Sequence, residues 1–207
     1  MSVPTRPDPA EPAEPAERAE PAGPAEQPEQ ANQAEPIVIL IGPPGAGKTT
    51  VGQLLAERLG VSFTDTDTEI EATAGKPVGD IFIEDGESVF RDLERTAVAR
   101  ALGTSGGGVL AVGGGAVLDP QTQERLAGRP VVYLETGFAA AAKRTGLSQA
   151  RPLLIGTNPR ATLKALLDQR LPVYQRLAWM TVGTDDQDAE QVAAEIAARL
   201  STQQGAR

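Results

Sequence analysis

Residues 42–49 read GPPGAGKT and match the pattern G-x-x-x-x-G-K-[ST] without a gap. The run IVILI at residues 37–41 precedes the motif, as expected for a parallel strand that is buried on both faces. Apolar residues at helical spacing follow it, from Val51 to Leu59. Glycines at such a turn let backbone N–H groups surround phosphates, while the helix presents its positive end. The motif therefore predicts a nucleotide phosphate site (a P-loop) in preference to an ordinary glycine-rich turn.

Strand-like and helical segments alternate along the rest of the chain. The apolar, β-rich runs predict five strands, near residues 37–41, 61–64, 109–112, 131–134 and 179–182. The helical patterns between and after them cover residues 66–73, 77–84, 86–102, a short helix opened by Pro120 with Asp119 as its N-cap, an alanine-rich stretch up to about 145, a long helix from about 160, and 187–200. This alternation predicts an α/β fold with a doubly wound, mostly parallel sheet.

Charge and proline content divide the 207 residues into two parts. Residues 1–36 contain nine prolines and carry eight acidic against two basic groups, whereas residues 37–207 carry twenty against seventeen. With few apolar side chains and many prolines, residues 1–36 are expected to be a disordered tail, the alternative being a segment that docks a partner. One domain is expected over residues 37–201. It includes a mobile loop at about 146–159 and is followed by a flexible end, 202–207.

The absence of histidine and cysteine excludes several classes of protein. Serine or cysteine hydrolases that use histidine, thiolate zinc sites and disulfides are all impossible, so acid–base chemistry falls to carboxylates, lysine or water. The nearly neutral domain lacks the basic surface that nucleic-acid binding requires. No apolar run approaches the roughly 20 residues of a membrane span, and the proline-rich start is unlike a signal peptide, so we expect a cytoplasmic location.

Two short motifs follow predicted strands, at the sheet edge where open α/β folds bind ligands. Asp65 and Asp67 come after the second strand, where one carboxylate could face Mg²⁺ through water and the other an acceptor hydroxyl. A helix N-cap plus a surface acid is the alternative. Gly113, Gly114 and Gly115 follow the third strand, where they would let a ligand approach the backbone. A flexible loop is the alternative.

Four arginines are candidates for anion binding, although each could also be structural. Arg91 and Arg170 lie on predicted helices, and Arg144 and Arg151 flank the loop at 146–159, where a lid over a phosphoryl group would need positive charge. The chain lacks the guanine-reading N/T-K-x-D segment of GTPases. Its length suits a small P-loop kinase.

As a set, these motifs resemble the shikimate kinase family. The resemblance covers about residues 37–200 and rests on GPPGAGKTT, DTD at 65–67, IFIEDGESVFRDLE, AVGGGAV, TGLSQARPLL and the R-x-P-x-Y of 170–174. It implies ATP- and Mg²⁺-dependent phosphorylation of the 3-hydroxyl of shikimate, in the pathway to chorismate and the aromatic amino acids. The implied fold is a three-layer α/β/α structure with a five-stranded parallel sheet, in the nucleoside-monophosphate-kinase arrangement, with a mobile lid.

The resemblance also assigns roles to individual residues. Asp67 would hold the shikimate hydroxyls and accept the proton, and Lys48 and Arg151 would act on the phosphoryl group. The remaining roles would be nucleotide binding by Gly45, Ala46, Gly47, Thr49, Thr50 and Arg144, shikimate binding by Arg91, Arg170 and Gly113 to Gly115, walls for the ring from Phe82 and Phe90, and metal binding by Thr49 and, through water, Asp65.

Two alternatives remain at this stage. One is another small-molecule kinase of the same architecture, such as a gluconate or nucleoside-monophosphate kinase. The other is a catalytically silent nucleotide-binding module whose acidic tail recruits a partner. For the kinase we expect a monomer with shikimate as its small-molecule partner and with neither nucleic acid nor membrane bound.

Overall fold

The computed structural model describes residues 37–104, 107–145 and 159–204. The predicted tail, most of the predicted lid with Arg151, and residues 205–207 lie outside this part of the chain. Five strands form one parallel sheet with the order β2-β3-β1-β4-β5. They are β1 (Val38–Ile41), β2 (Phe63–Asp65), β3 (Val109–Ala111), β4 (Val131–Glu135) and β5 (Met180–Gly183).

Helices connect and cover the strands. They are α1 (Lys48–Leu59), α2 (Thr66–Ala74), α3 (Val78–Asp80), α4 (Glu87–Thr104), α5 (Pro120–Leu126), α6 (Phe138–Arg144), α7 (Pro159–Leu177) and α8 (Ala189–Gln204), with a 3₁₀ turn at Ala116–Leu118. Asp119 caps α5 as predicted, because its carboxylate accepts a hydrogen bond from the Thr122 amide. Helix α8 extends three residues past the predicted domain end at 201.

Two apolar layers sandwich the sheet, which confirms the predicted α/β architecture. Val38 and Leu40 of β1 pack toward α1 and α8, while Ile39 and Ile41 pack toward α4, α5 and α7. Since all four side chains are fully buried, the apolar run of β1 is the sequence of a central strand. Its neighbours β3 and β4 lie on opposite sides, so the crevice where connections diverge opens just after β1, at the P-loop.

One predicted helix differs in the structure. The sequence pattern predicts one helix over residues 77–84, but α3 ends after one turn and continues as a π-helical segment, Ile81–Asp85. Gly86, with φ 88°, ends that segment, and Lys76 binds the carboxylates of Glu84 and Asp85 at 2.8 and 2.6 Å. The wider π turn leaves Ile83 two-thirds exposed (67%) while Ile81 is buried. This segment forms an outer wall of the cleft that also contains Asp67 and Arg91.

Candidate active site

The P-loop wraps from β1 into α1 at the carboxyl edge of the sheet. Gly45 and Gly47 have φ values of 80° and 90°, the left-handed conformation that side-chain-bearing residues rarely adopt. The Lys48 ammonium donates to the carbonyl oxygens of Gly42 (2.9 Å) and Pro43 (3.2 Å) and so lies folded over the loop. The structure thus brings the predicted phosphate-binding residues together around one turn.

Thr49 and Asp65 meet across the adjoining strand ends. The Thr49 hydroxyl donates to Asp65 Oδ2 at 2.7 Å, and Asp65 Oδ1 accepts from the Asp67 amide at 3.0 Å, which caps α2. Asp65 is therefore both the N-cap and a partner of the P-loop hydroxyl. A hydroxyl and a carboxylate are hard oxygen ligands of the kind that Mg²⁺ takes.

The second aspartate of the DTD motif faces the glycine run after β3. A Cβ atom added to Gly113 would lie 2.6 Å from Asp67 Oδ1 and 3.0 Å from Glu94 Oε1, and one on Gly115 would collide with the Arg91 guanidinium. Glycine is needed here because three charged groups approach the backbone closely. The Gly113 amide donates to the buried Thr66 hydroxyl at 2.9 Å, which fixes the loop to α2.

Arg91 lies on α4 between carboxylates and aromatic rings. It binds Glu94 at 2.6 Å and Glu87 at 3.0 Å, and its guanidinium carbon lies 5.8 and 5.3 Å from the ring centroids of Phe82 and Phe90. The two rings are themselves in contact, with centroids 4.4 Å apart. These contacts orient the arginine fork and supply an apolar wall beside it.

Arg170 enters the same region from α7. The residue is only 3% exposed, and its Nε has no hydrogen-bond partner among the residues that the structure describes. Tyr174, one turn further along α7, donates its hydroxyl to the Gly114 carbonyl at 2.6 Å, and burial raises the pKa of this tyrosine to about 12. Because Arg170 lines the cleft and a buried guanidinium needs compensating negative charge, it can bind an anionic partner there.

Glu94 lies at the centre of this cluster, although the motifs in the sequence assign it no role. Glu94 is 3% exposed, and its pKa is raised to about 6 because burial and the nearby Asp67 outweigh the attraction of Arg91 and Arg170. The apolar periodicity of α4 could have revealed it, since Phe90, Ala97 and Val98 lie on the same buried face. An acid at such a position needs a cationic partner, and Arg91 is three residues away.

These residues line one cleft of about 540 Å³. Its lining includes Thr49, Asp65, Asp67, Arg91, Glu94 and Arg170. Phosphate-loop, carboxylate and arginine side chains therefore share a single space, as phosphoryl transfer requires.

Arg144 lies on the other side of the P-loop. Its guanidinium donates to the Gly45 carbonyl (3.4 Å) and to both the hydroxyl (3.0 Å) and the carbonyl of Thr184, which follows β5. In the described residues Arg144 thus joins the P-loop to the β5–α8 connection. Arg151 lies outside the described residues, so its predicted place near the phosphoryl group stays a prediction.

Among the described residues, every helix is too short or too polar to span a lipid bilayer.

Residues 44–201 match the family model described as "Shikimate kinase". A protein of Thermobifida fusca (strain YX) named shikimate kinase is 62% identical over 167 residues, which are 81% of this chain and 96% of the relative. One of Salinispora arenicola (strain CNS-205), with the same name, is 58% identical over 80% of this chain and 98% of the relative. The solved shikimate kinase from Acinetobacter baumannii in complex with shikimate has a TM-score of 0.77 and 38% identity, covering 85% of this chain and 98% of that one.

Proposed function

The chain belongs to the shikimate kinase family and is a phosphotransferase that acts on an alcohol group, and we propose how its residues divide the reaction. ATP is the phosphoryl donor in this family. The acceptor is shikimate, whose 3-hydroxyl becomes a phosphate ester. We propose that shikimate occupies the cleft between α2, α4 and α7 and that the phosphates of ATP lie on the P-loop.

The observation that carries this proposal is the pair of arginines in a cleft that also contains Thr49 and Asp67. Arg170 is buried with an unsatisfied Nε, and Arg91 is held against two aromatic rings. The forked donors of arginine match a carboxylate, and such charge-assisted bonds are strong where water is excluded. The shikimate carboxylate would thus be bound by Arg91 and Arg170, with Phe82 and Phe90 against the ring and Gly113, Gly114 and Gly115 below it.

The nucleotide half of the proposal rests on the P-loop. Backbone groups of Gly45, Ala46, Gly47 and Thr50 would hold the phosphates, and Lys48 would turn from its two carbonyl partners to bridge them. Thr49 and Asp65 fit Mg²⁺, with Asp65 acting through a water. Bound Mg²⁺ would neutralise charge on the phosphates. Arg144, held by Thr184, would lie along the adenine.

The chemical step needs a proton acceptor and charge stabilisation. As the 3-hydroxyl oxygen forms its bond to the γ-phosphorus, the bond from that phosphorus to the β–γ bridging oxygen breaks and ADP leaves. Asp67 would orient the hydroxyl and take its proton, which then passes to solvent. Arg151 would stabilise the negative charge on the transferring group. With no histidine in the chain, a carboxylate supplies all the acid–base chemistry required.

A coupled assay of ADP release tests the assignment. We expect shikimate-dependent turnover with ATP, and little turnover with gluconate or with nucleoside monophosphates. Gluconate lacks a ring and nucleoside monophosphates lack a carboxylate, whereas the proposed site binds both groups.

Arg170→Met should raise the KM for shikimate at least tenfold, because it removes a buried charged donor. The binding assignment is overturned if Arg170→Met leaves that KM unchanged. ATP binding without turnover of any acceptor would support the silent module instead.

We propose that the enzyme works in the cytoplasm as a monomer, with shikimate and ATP as its small-molecule partners. The nearly neutral charge of residues 37–207 supports the absence of nucleic-acid binding.

A further inference from the structure

The connection between β5 and α8, residues 184–188, contains three aspartates and is called the acidic loop here. Asp185 ties the acidic loop to the turn after β4. Its Oδ1 accepts a hydrogen bond from the Thr136 hydroxyl at 2.8 Å, and its two carboxylate oxygens accept from the Gly137 amide at 3.1 and 3.0 Å. Gly137 is the N-cap residue of α6 and has no side chain with which to cap it. The aspartate therefore satisfies the start of α6 from a loop 48 residues away.

The neighbouring residue holds the other end of the same helix. Thr184 is 3% exposed, and its hydroxyl bonds to the Glu135 carbonyl at 3.1 Å. Through its hydroxyl and carbonyl it also accepts from Arg144, the last residue of α6. Thr184 and Asp185 therefore form hydrogen bonds with residues at both ends of α6. Helix α6 also lies against the P-loop, because a Cβ atom added to Gly45 would lie 3.0 Å from the Ala141 carbonyl oxygen.

We propose that Asp185 is a positioning residue for the nucleotide base. It fixes the β5–α8 connection against the start of α6, so that Thr184 holds the Arg144 guanidinium in place before ATP binds. Preorganisation of this kind lowers the entropy lost on binding. The inference rests on the proposed role of Arg144 beside the adenine. This role also explains the presence of an acid in the acidic loop. The Asp185 carboxylate accepts hydrogen bonds from the Gly137 amide and the Thr136 hydroxyl and does not face the nucleotide.

Steady-state kinetics of the full-length chain test the proposal. Asp185→Ala should raise the KM for ATP about tenfold, because two or three hydrogen bonds are lost, and leave the KM for shikimate and kcat close to wild type. Asp185→Asn keeps one oxygen acceptor, the equivalent of the Oδ1 that both Thr136 and Gly137 contact, and should retain most of the affinity. Asp186→Ala is the matched control: Asp186 is the exposed next residue, and within the described chain it makes no hydrogen bond.

Inorganic triphosphate separates positioning of the base from a general structural effect. It can occupy the P-loop but has no base, so its inhibition constant against ATP should be the same for wild type and Asp185→Ala. A parallel loss of triphosphate affinity, or an equal loss in Asp186→Ala, would overturn the proposal. Should Asp185→Ala not fold, Thr136→Val removes one of the same bonds at similar volume, and an unchanged KM for ATP in that variant would likewise overturn it.

Arg144→Ala distinguishes this inference from the role on which it rests. If Arg144→Ala raises the KM for ATP and Asp185→Ala does not, the assignment of Arg144 stands and the positioning role of Asp185 fails. If Arg144→Ala leaves the KM for ATP unchanged, the assignment of Arg144 fails, and the role of Asp185 fails with it.

Discussion

Glu94 shows how one residue in this cleft departs from the usual behaviour of its type. Glutamate is rarely buried without a partner, and here it lies against Arg91 with Asp67 and Arg170 nearby. The ion pair with Arg91 does not fully offset the loss of hydration, so the pKa of Glu94 is raised to about 6. The same ion pair fixes the orientation of Arg91 on the side facing Gly113 and Gly115.

The raised pKa predicts a pH dependence of stability. The folded chain binds the Glu94 proton more tightly than the unfolded chain, whose value is near the ordinary 4.5. The contribution of Glu94 to the free energy of unfolding should therefore fall by about 2 kcal/mol as the pH rises from about 4.5 to about 6 and then level off. Denaturant unfolding of wild type and Glu94→Gln across this range measures it. A stability difference between them that does not change with pH would contradict the prediction.

Asp67 should matter for the chemical step more than for binding of ATP. Asp67→Asn keeps the shape of the side chain but cannot accept a proton, so kcat should fall at least about 100-fold, with the KM for ATP nearly unchanged. Asp80→Asn, at another carboxylate that lines the cleft, is the control and should retain most activity. Equal losses in the two variants would show that cleft charge matters and that proton transfer to Asp67 does not.

At the level of elements, the run of glycines after β3 acts together with α2 and α4. Periodicity in the sequence predicts both helices and the strand, but not the π-helical segment at Ile81–Asp85, because its stability depends on Gly86 and on the ion pairs of Lys76. At 113–115 the position directly after a strand favours a ligand-facing loop, with a flexible loop as the alternative. The close approach of Gly113 to Asp67 and of Gly115 to Arg91 supports the ligand-facing loop.

Gly113→Ala should impair the acceptor half of the cleft. The new Cβ would press on the carboxylates of Asp67 and Glu94, and because both are ends of flexible side chains they should move before the fold is lost. We expect kcat/KM for shikimate to fall at least about tenfold, with a loss of roughly 1–3 kcal/mol in the free energy of unfolding. Gly103→Ala in α4 is the matched control: it has open space around it, and it should raise stability by about 0.5 kcal/mol without changing activity.

At the scale of the whole molecule, both the charge distribution and the family match at residues 44–201 set residues 1–36 apart from the rest of the chain. Nearly the whole of the Thermobifida relative, 96% of it, aligns with 167 residues of this chain, and residues 1–36 carry most of the charge excess. Deletion of residues 1–36 should therefore leave kcat, both KM values and the melting temperature within error of the full-length protein. Paired kinetics and calorimetry check this. A change in the KM for ATP or shikimate after deletion would show that the tail acts on the cleft.

The sequence by itself determined the order of strands and helices, the P-loop and the candidate arginines, because these depend on local periodicity and on short motifs. Tertiary structure alone decided which side chains meet. Asp67 and Glu94 both lie against Gly113, Thr184 holds Arg144 across 40 residues of chain, and Asp185 reaches Thr136 across 49. Such pairs leave no local pattern in the sequence, because only the pairing of parallel strands in one sheet brings the carboxyl ends of those strands to the same edge.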